Sequence, residues 1–331
     1  MTAPGFDDSG TVDLPVDFTV RFTGDPATFL AAAEEHLALD PVLTTVVSSV
    51  THRALEDVER GLPAPEHPRW WAVVRDGSGA VSGVAMRTAP FAPYPLFVLP
   101  MPEGAALALA RALHARGEEV RGVNGALPAA RVVADAIARL DGGAASVHEH
   151  TRLFELGDLV EPAAVPGRLR PAAESEAPLA LRWFDSFEAD AAEQAGRADK
   201  GAGGYLSEHE MRARIAAGRI WFWEDETGEP VHLTGFNPPS FGVARVGPVY
   251  TPPSHRGRGI ASAAVAEVSR RLLADGARVC LFTDQANPTS NKIYQAIGFA
   301  PVADMANLVV TPSPDQAGPP ADPALDSGGD D

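Results

Sequence analysis

Residues 249–261 read Val-Tyr-Thr-Pro-Pro-Ser-His-Arg-Gly-Arg-Gly-Ile-Ala, a composition that suits the binding of an anion. An apolar run ends at two consecutive prolines, and a loop with two glycines then opens a long helical segment. The first backbone N–H groups of a helix have no partner within the helix and lie at the positive end of its dipole. Glycine lets a phosphate approach the backbone closely. The segment therefore predicts a phosphate-binding loop between a strand and a helix.

Three interpretations compete for this loop: a plain strand-to-helix turn, a dinucleotide-binding fingerprint, and a cradle for the pyrophosphate of coenzyme A. Gly257 and Gly259 have the spacing of the dinucleotide fingerprint, but Ser262 stands where that fingerprint has a third glycine or alanine. In favour of the fingerprint, Asp284 ends the next predicted strand, roughly where an acid that binds ribose would lie. The loop alone does not decide between these interpretations.

A second pattern downstream, in residues 284–299, favours the third interpretation. Together the two patterns resemble the GNAT superfamily of acyltransferases. The cofactor motif of that family, Gln/Arg-x-x-Gly-x-Gly/Ala, is met by Arg256, Gly259 and Ala261. Its second signature, an Asn followed seven residues later by a Tyr and then by Gly-Phe, is met by Asn287, Tyr294, Gly298 and Phe299. A dinucleotide-binding domain has no reason to carry this second motif.

The resemblance implies that acetyl-CoA binds along the strand and the loop. In the family the fourth and fifth strands splay apart, so the backbone of Val249 and Thr251 is expected to pair with the amides of pantetheine. Asn287 is expected near the pantetheine arm, and Asn291 near the phosphates of the cofactor. Backbone N–H groups of the loop are expected to bind the pyrophosphate. The implied cofactor-binding residues are Val249, Tyr250, Thr251, Arg256, Gly257, Arg258, Gly259, Ile260, Ala261, Asn287 and Asn291.

Tyr294 is the residue that the resemblance implies as the general acid for the departing thiolate. Ordinary pKa values of about 8.5 for a thiol and about 10 for a phenol make full proton transfer unfavourable in water by roughly 2 kcal/mol. A hydrogen bond that stabilises the developing thiolate is therefore an equal alternative. A third interpretation is that the ring only packs beneath the sheet.

The residue that takes the proton of the attacking amine is less clear from the sequence. An amine with a pKa near 10.4 is neutral in only about one molecule in 2,500 at pH 7, so a base helps. Glu224, at the end of a predicted strand, is the first candidate, with Glu208 and Asp284 behind it; each could equally be a solvated surface carboxylate. His255 is expected to be an exposed histidine of the phosphate-binding loop.

Two pairs of ring-bearing side chains share a strand face because strand residues alternate. Trp221 and Trp223 are expected to pack in the core, and a wall for the substrate is the alternative. His148 and His150 have no third ligand nearby, so no metal site is predicted.

The elements that must position these residues follow a regular order between residues 168 and 310. The patterns predict helices over 177–192 and 207–217, hairpin strands over 219–224 and 231–236, a strand over 242–251, a helix over 258–275, a strand over 278–283, a helix over 288–297 and a strand over 299–310.

A similar order of elements fills the first half of the chain, which suggests that one α/β unit was duplicated. At the corresponding strand-to-helix junction the chain reads Leu-Pro-Met-Pro-Glu-Gly-Ala over residues 99–105. Glu103 would repel a pyrophosphate there. The first half is therefore interpreted as a degenerate copy that supports the second and walls part of the acceptor cleft. Its predicted elements are a helix over 25–40, an apolar segment over 42–49, strands over 70–75, 81–88 and 96–99, a helix over 105–116, a strand over 119–123, a helix over 128–140 and a strand over 147–156.

The composition of the 331-residue chain narrows the classes of partner and location. A net charge of -17 disfavours nucleic acid and anionic membranes, whose phosphates need a basic surface, and would attract a cationic amine. Cys280 is the only cysteine, so no disulfide forms within the chain. No apolar run approaches the roughly 20 residues that span a bilayer, and residues 1–10 lack the apolar core of a signal peptide. A cytoplasmic location is expected.

The chain is accordingly predicted to be an α/β protein with two GNAT-like domains in tandem, each a central mixed sheet flanked by helices. The predicted activity is transfer of an acetyl group from acetyl-CoA to a primary amine of a small molecule or peptide, by direct attack and without a metal. A non-catalytic sensor or interaction protein that binds acyl-CoA is the alternative, and both a monomer and a homodimer are open. The expected divisions are a disordered N-terminus (1–17), a degenerate domain (18–156), a linker (157–167), a catalytic domain (168–310) and a disordered acidic tail (311–331).

Overall fold

The computed structural model describes residues 17–194 and 206–313, and within these ranges twelve strands form one mixed sheet. The strands are β1 (Thr19–Thr23), β2 (Trp70–Arg75), β3 (Val81–Arg87), β4 (Leu96–Val98), β5 (Gly122–Ala126), β6 (Ala144–Leu156), β7 (Arg168–Pro171), β8 (Ile220–Glu224), β9 (Pro230–Ser240), β10 (Val243–Tyr250), β11 (Arg278–Asp284) and β12 (Phe299–Thr311). The α-helices are α1 (Pro26–Leu39), α2 (Thr45–Glu59), α3 (Glu103–Ala115), α4 (Ala129–Leu140), α5 (Ala177–Gln194), α6 (Glu208–Ala216), α7 (Ile260–Ala274) and α8 (Pro288–Ala296).

Some of the helices begin where a side chain caps their first N–H groups. The Asp25 side chain accepts a hydrogen bond from the Thr28 amide at the start of α1. Ser207 and Glu210 form a reciprocal capping box at the start of α6. Because these side chains satisfy amides that have no partner inside the helix, they fix the point at which each helix starts. No helix among the described residues is long and apolar enough to cross a bilayer.

The last strands of the two halves change places in the sheet. The strand order is β1-β2-β3-β4-β5-β12-β6-β11-β10-β9-β8-β7. Thus β12, from the end of the chain, pairs with β5 of the first half, while β6 of the first half pairs with β11 of the second. The two exchanged strands also pair with each other along their length, from Phe299 opposite Leu156 to Thr311 opposite Ala144. The sheet is therefore continuous, and each half supplies a strand that the other half pairs with.

Helices cover both faces of this sheet. α3 and α4 pack on the apolar side chains of the first half, and α7 packs on those of the second. α5 and α6 cover β8 and β9, and α1 packs on β2 and β3. A smaller central cluster, which includes Val42, Leu153 and Val243, joins the two halves. The fold is the predicted α/β class, with the mixed sheet flanked by helices.

Several element boundaries differ from the prediction. β1 and β7 were not expected, because each is an edge strand of only five or four residues, which is short for a recognisable strand pattern. α2 extends to Glu59 and buries Ser48 and Thr51, so its inner face is too polar for the apolar segment to reveal its length. The prediction placed the start of β5 at Glu119, but the strand begins at Gly122. The Glu119 carbonyl accepts a hydrogen bond from the Arg87 side chain.

The structure describes the expected linker in full but only a few residues of the expected disordered termini. Residues 157–167 contain no helix or strand, but the Gly157 amide donates to the Gly298 carbonyl and the Val160 amide to the Ile297 carbonyl. This segment thus runs along the second half. Of the two termini that were predicted to be disordered, 1–17 and 311–331, residues 1–16 and 314–331 lie outside the described residues, and Thr311 is the last residue of β12. The division into a domain over 18–156 and another over 168–310 stays a prediction.

Candidate functional site

A cavity of about 2340 Å³ lies between the two halves and collects most of the residues that the motifs single out. Its walls come from α2 and the segment before β4 in the first half, and from β10, the end of β11 and the start of α7 in the second. α2 also packs against β9 and β10, so the first half contributes directly to this wall. All the predicted cofactor-binding residues except Asn291 line the cavity.

β10 and β11 part inside this cavity. They pair in parallel from Val243 opposite Arg278 to Val246 opposite Leu281, and the described pairing goes no further. On its other side β10 stays paired with β9 as far as Tyr250, with a shift of register after Val246. Beyond Val246 the edge of β10 that faces β11 therefore lacks a strand partner. Buried backbone amides and carbonyls require hydrogen-bond partners, so this edge can accept an extended, amide-bearing ligand.

The loop after β10 presents a helix start without a side-chain cap. A single 3₁₀ turn at Pro253–His255 leads into Gly257 and Gly259, which have φ angles of 75° and 78°. Glycine adopts this left-handed conformation without steric cost. Gly259 is the N-cap of α7 and forms no side-chain capping bond, while Ile260, Ala261 and Ser262 line the cavity. The first N–H groups of α7 are thus available to an anion in the cavity.

Two arginines of this loop brace its backbone. The Arg256 side chain donates from Nε to the Thr251 carbonyl at 2.9 Å, and its Nη2 lies 2.6 Å from Asp190 Oδ2. Arg258 donates from Nη2 to the Ser254 carbonyl at 3.0 Å. Both guanidinium groups already hold the loop in shape, so the backbone amides remain the main groups for binding a phosphate.

Gly259 also contacts the segment between the halves. A Cβ atom on Gly259 would lie 3.3 Å from Val165 Cγ2, which is tighter than an ordinary van der Waals contact. The segment 157–167 therefore packs against the loop, and a large side chain at position 259 would disturb both.

Tyr294 lies on α8 with its ring buried and its edge toward Phe299, at 6.0 Å between ring centroids. It lines the cavity beside Ile293. Burial raises the pKa of the Tyr294 phenol well above its ordinary value, because the phenolate would be poorly solvated there. The phenol is therefore held in its protonated form, ready to donate a hydrogen bond.

The two asparagines have different surroundings. Asn287 caps α8, since its Oδ1 accepts from the Ser290 amide at 3.1 Å, and it also lines the cavity. Asn291 donates from Nδ2 to the carbonyls of Asp284 and Asn287, at 3.0 and 2.8 Å. Asn291 does not line the cavity and braces the turn before α8, so its expected place near the phosphates of the cofactor stays a prediction. Ser290 lines the cavity although no motif singled it out.

Glu224, the first candidate for the base, lies elsewhere. Its two carboxylate oxygens accept from Nε of Arg168 and Nε of Arg170, both at 2.5 Å. These two hydrogen bonds lower the pKa of the Glu224 carboxyl, and the residue is not among those that line the cavity. An ionised carboxylate held by two arginines outside the cavity cannot reach an amine at the parted strands. The structure therefore does not support Glu224 as the base.

Of the other residues singled out by the sequence, some line the cavity and others do not. Glu208 pairs with Arg212 on the surface of α6 and does not line the cavity, whereas Asp284 does. Trp221 and Trp223 donate from Nε1 to backbone carbonyls, and neither lines the cavity, so they belong to the packing of the second half. His255 lines the cavity, and its Nδ1 is buried without a hydrogen bond.

His232, which no motif singles out, forms a buried chain of hydrogen bonds behind the parted strand. Its Nδ1 lies 2.7 Å from the Thr251 hydroxyl and its Nε2 2.6 Å from the Thr234 hydroxyl. Burial lowers the pKa of His232 to about 3, so the imidazole is neutral at physiological pH. It fixes the Thr251 side chain at the cavity wall. A histidine between the apolar residues Val231 and Leu233 of a predicted strand is the sequence signal that could have indicated it.

The charge of the cavity wall is opposite to that of the whole chain. Nine arginines and six carboxylates line it, although the net charge of the protein is -17. The expectation that the net negative charge would attract a cationic amine therefore does not describe this wall.

The equivalent place in the first half is closed. All three residues of β4 pair with β5, from Leu96 opposite Val123 to Val98 opposite Gly125. A Cβ atom on Gly125 would overlap the Val98 carbonyl, so the two backbones are in close contact. Glu103 occupies the first turn of α3, as expected from the sequence. The first half thus lacks both the opening between strands and the neutral helix start.

Comparison with known families identifies the second half. Residues 182–299 match the family model described as Acetyltransferase (GNAT) family, over about a third of the chain. This part of the chain thus resembles the GNAT family, in agreement with the two motifs. No curated protein sequence matches the chain significantly.

Solved structures with a similar fold extend over both halves. A GCN5-related N-acetyltransferase from Sphaerobacter thermophilus is 16% identical over 88% of this chain and 94% of its own, with a TM-score of 0.54. A protein from Drosophila is 14% identical over 88% of this chain and 98% of its own, with a TM-score of 0.62. A tandem GNAT protein from the clavulanic acid biosynthesis pathway is 15% identical over 90% and 100%, with a TM-score of 0.52. At these identities the likeness shows the fold alone, and the shared fold extends over both halves of the chain.

The buried His232 predicts a dependence of stability on pH. Below its ordinary pKa of 6.5 the unfolded chain takes up a proton that the folded protein does not bind until about pH 3. The contribution of the neutral His232 to the free energy of unfolding is therefore fully present above its ordinary pKa of 6.5. Below that pH it falls by about 1.4 kcal/mol per pH unit. We expect the stability difference between wild type and His232→Gln to change by about 2 kcal/mol between pH 7.5 and 5.0 in urea unfolding. An equal pH dependence of the two proteins would contradict a buried neutral imidazole.

Proposed function

We propose that the GNAT domain of this chain transfers an acetyl group from acetyl-CoA to the amine of a small molecule or peptide, with one cofactor bound per chain. The observation that carries this proposal is the parting of β10 from β11 beside a helix start that has no side-chain cap. A ligand with both an extended amide chain and a pyrophosphate fits that pair of features. The first half supports the second and supplies α2 to the wall of the cavity.

The residues of the second half suit the two parts of coenzyme A. Beyond Val246, the free edge of β10 at Val249, Tyr250 and Thr251 would pair with the amides of pantetheine as a neighbouring strand would. The N–H groups at the start of α7, from Gly259 to Ala261, would bind the pyrophosphate. Asn287 also lines the cavity and would contact the pantetheine arm.

Transfer by direct attack requires a charge to be stabilised on sulfur. The amine nitrogen forms a bond to the thioester carbonyl carbon, the carbon–sulfur bond breaks, and the amine loses a proton. Tyr294 would donate a hydrogen bond to the sulfur as it becomes a thiolate. Because burial raises the pKa of this phenol, complete proton transfer to a thiolate is less favourable than in water. Tyr294 therefore acts mainly as a hydrogen-bond donor, and the thiolate takes its proton after release.

The proton of the amine needs a different group. Asp284 lines the cavity at the end of β11, unlike Glu224 and Glu208, and we propose it as the acceptor of this proton. His232 is unsuited to that role because an imidazole with a pKa of about 3 does not hold a proton at neutral pH. Its part is to orient the Thr251 hydroxyl.

The cofactor site is tested by calorimetric titration of acetyl-CoA into wild type and Gly259→Glu. We expect one site per chain with micromolar affinity in wild type and no measurable binding in the variant, since the new side chain meets Val165 and brings a negative charge to the phosphate site. Gly228→Glu is the matched control, because Gly228 has a similar φ of 88° but lies in the turn between β8 and β9, outside the cavity. Two sites per chain, or equal loss in both variants, would contradict the assignment.

The role of Tyr294 is tested by Tyr294→Phe, which removes the hydroxyl and keeps the ring. We expect kcat for release of free thiol to fall about 10- to 100-fold, because the thiolate loses a hydrogen bond. The affinity for acetyl-CoA should stay within twofold of wild type. An unchanged kcat would show that Tyr294 only packs beneath the sheet, and a wild type that binds acetyl-CoA but never releases thiol with any amine would indicate a sensor.

A further inference from the structure

We propose that Arg245 forms an anion-binding subsite for the acceptor, so that the acceptor is a small amine that also carries a carboxylate, as amino acids do. This inference rests on the proposed acetyl transfer and names its substrate class. It starts from a side chain that the cofactor site does not use.

Arg245 lies on β10, one residue before the strands part. Its neighbours Ala244 and Val246 belong to the apolar cluster under α7, so Arg245 faces the opposite side of the sheet. There it lines the cavity, and its Nη1 is buried without a hydrogen-bond partner. Within residues 17–194 and 206–313 its side chain forms no ion pair either.

The positive charge of Arg245 persists although no ion pair balances it within residues 17–194 and 206–313. Burial lowers the pKa of its guanidinium to about 10, which still leaves the group protonated at neutral pH. The Cys280 thiol is a neighbour, but burial raises its pKa to about 11, so it carries no negative charge. A buried charge without a partner is costly, and proteins retain one mainly where a ligand supplies the partner.

The other charged neighbours of Arg245 add to the positive potential. Arg53 on α2 and Arg214 on α6 both lie close enough to oppose its protonation, and both line the cavity. Side chains of β10, α2 and α6 thus bring positive charges to the same part of the cavity. The hydroxyl of Ser240, 3.0 Å from His52 Nδ1, is a further polar group of this wall. An anion bound among these groups would relieve their mutual repulsion.

The position of Arg245 along β10 separates this anion from the cofactor. Thr251, where the phosphate-binding loop begins, is six residues further on, or about 20 Å of extended strand. The phosphates of coenzyme A would therefore not reach Arg245. The point where β10 parts from β11 is only about 3–7 Å from it, and the acyl end of an extended cofactor would lie there.

This proximity defines the acceptor. The anionic group bound by Arg245 must be within a few bonds of the amine that attacks the thioester. A guanidinium binds a carboxylate through two parallel hydrogen bonds, which orients a compact molecule as well as attracting it. An amino acid, with its amine and carboxylate on neighbouring atoms, meets both requirements.

The test compares acceptors and variants in a thiol-release assay. A panel of amino acids is assayed against the corresponding amino amides, which lack the carboxylate, and against phosphoethanolamine. We expect wild type to use at least one amino acid with kcat/KM at least tenfold above that of its amide. Arg245→Gln should raise KM for that amino acid at least tenfold with kcat within threefold, and leave the amide unchanged. Arg131→Gln is the control, because it removes one exposed positive charge on α4 outside the cavity.

The melting temperature of Arg245→Gln shows whether a loss of acceptor binding comes from the missing guanidinium or from a destabilised fold. Because Arg245 has no ion-pair partner to lose in the part of the chain that the structure describes, Arg245→Gln should melt at or above the temperature of wild type. Equal use of amino acids and amides by wild type, an unchanged KM in Arg245→Gln, or a preference for phosphoethanolamine would overturn the inference.

Binding without turnover keeps the test independent of the proposed activity. Calorimetric titration of the same amino acids into the protein saturated with coenzyme A should show binding in wild type and at least tenfold weaker binding in Arg245→Gln. No binding to wild type, or equal binding to both, would also overturn the subsite. Failure of the acetyl transfer itself would appear separately, as absence of acetyl-CoA binding or of thiol release with every amine.

Discussion

Where β10 and β11 stop pairing after Val246, the backbone of β10 keeps its partner on one side only. Peptide groups enclosed by protein must form hydrogen bonds, so the open edge calls for water or a ligand with amides of its own. The other features of the site follow from this opening. The strand continues to the two prolines, which end it, and the loop with two left-handed glycines then places the start of α7 at the mouth of the opening.

The first half has the same order of elements without this opening. There β4 is short and paired over its whole length with β5, and the contact between Gly125 and Val98 leaves no room for a ligand. The exchange of β6 and β12 joins this closed half to the open one in a single sheet. As a result α2 reaches across to β9 and β10, and a cavity with walls from both halves forms over the opening.

The local features of the site could be predicted from the sequence because they depend on residues close together in the chain. The phosphate-binding loop, Asn287 and Tyr294 belong to short motifs, and the structure brings them to one cavity. Glu224 could not be judged in this way. Its partners Arg168 and Arg170 lie on β7, an edge strand too short to be recognised, more than fifty residues away.

Long-range features escaped prediction for the same reason. The exchange of β6 and β12 depends on pairing between residues about 150 positions apart, and no local pattern records it. Arg245 and His232 stand within apolar strands, where their side chains could equally have faced solvent. Only the packing of α2 and the neighbouring strands reveals that one is an unpaired cation and the other a neutral relay of hydrogen bonds.

The central claim is that the opening in the second half, and not the closed equivalent in the first, binds coenzyme A. Hydrogen–deuterium exchange with and without acetyl-CoA tests this most directly, because it reports on backbone amides along both strand pairs. We expect slower exchange at residues 249–251 and 260–262 and no change at residues 96–104. Slower exchange at 96–104, or unchanged exchange at 249–262 when acetyl-CoA is bound, would contradict the account.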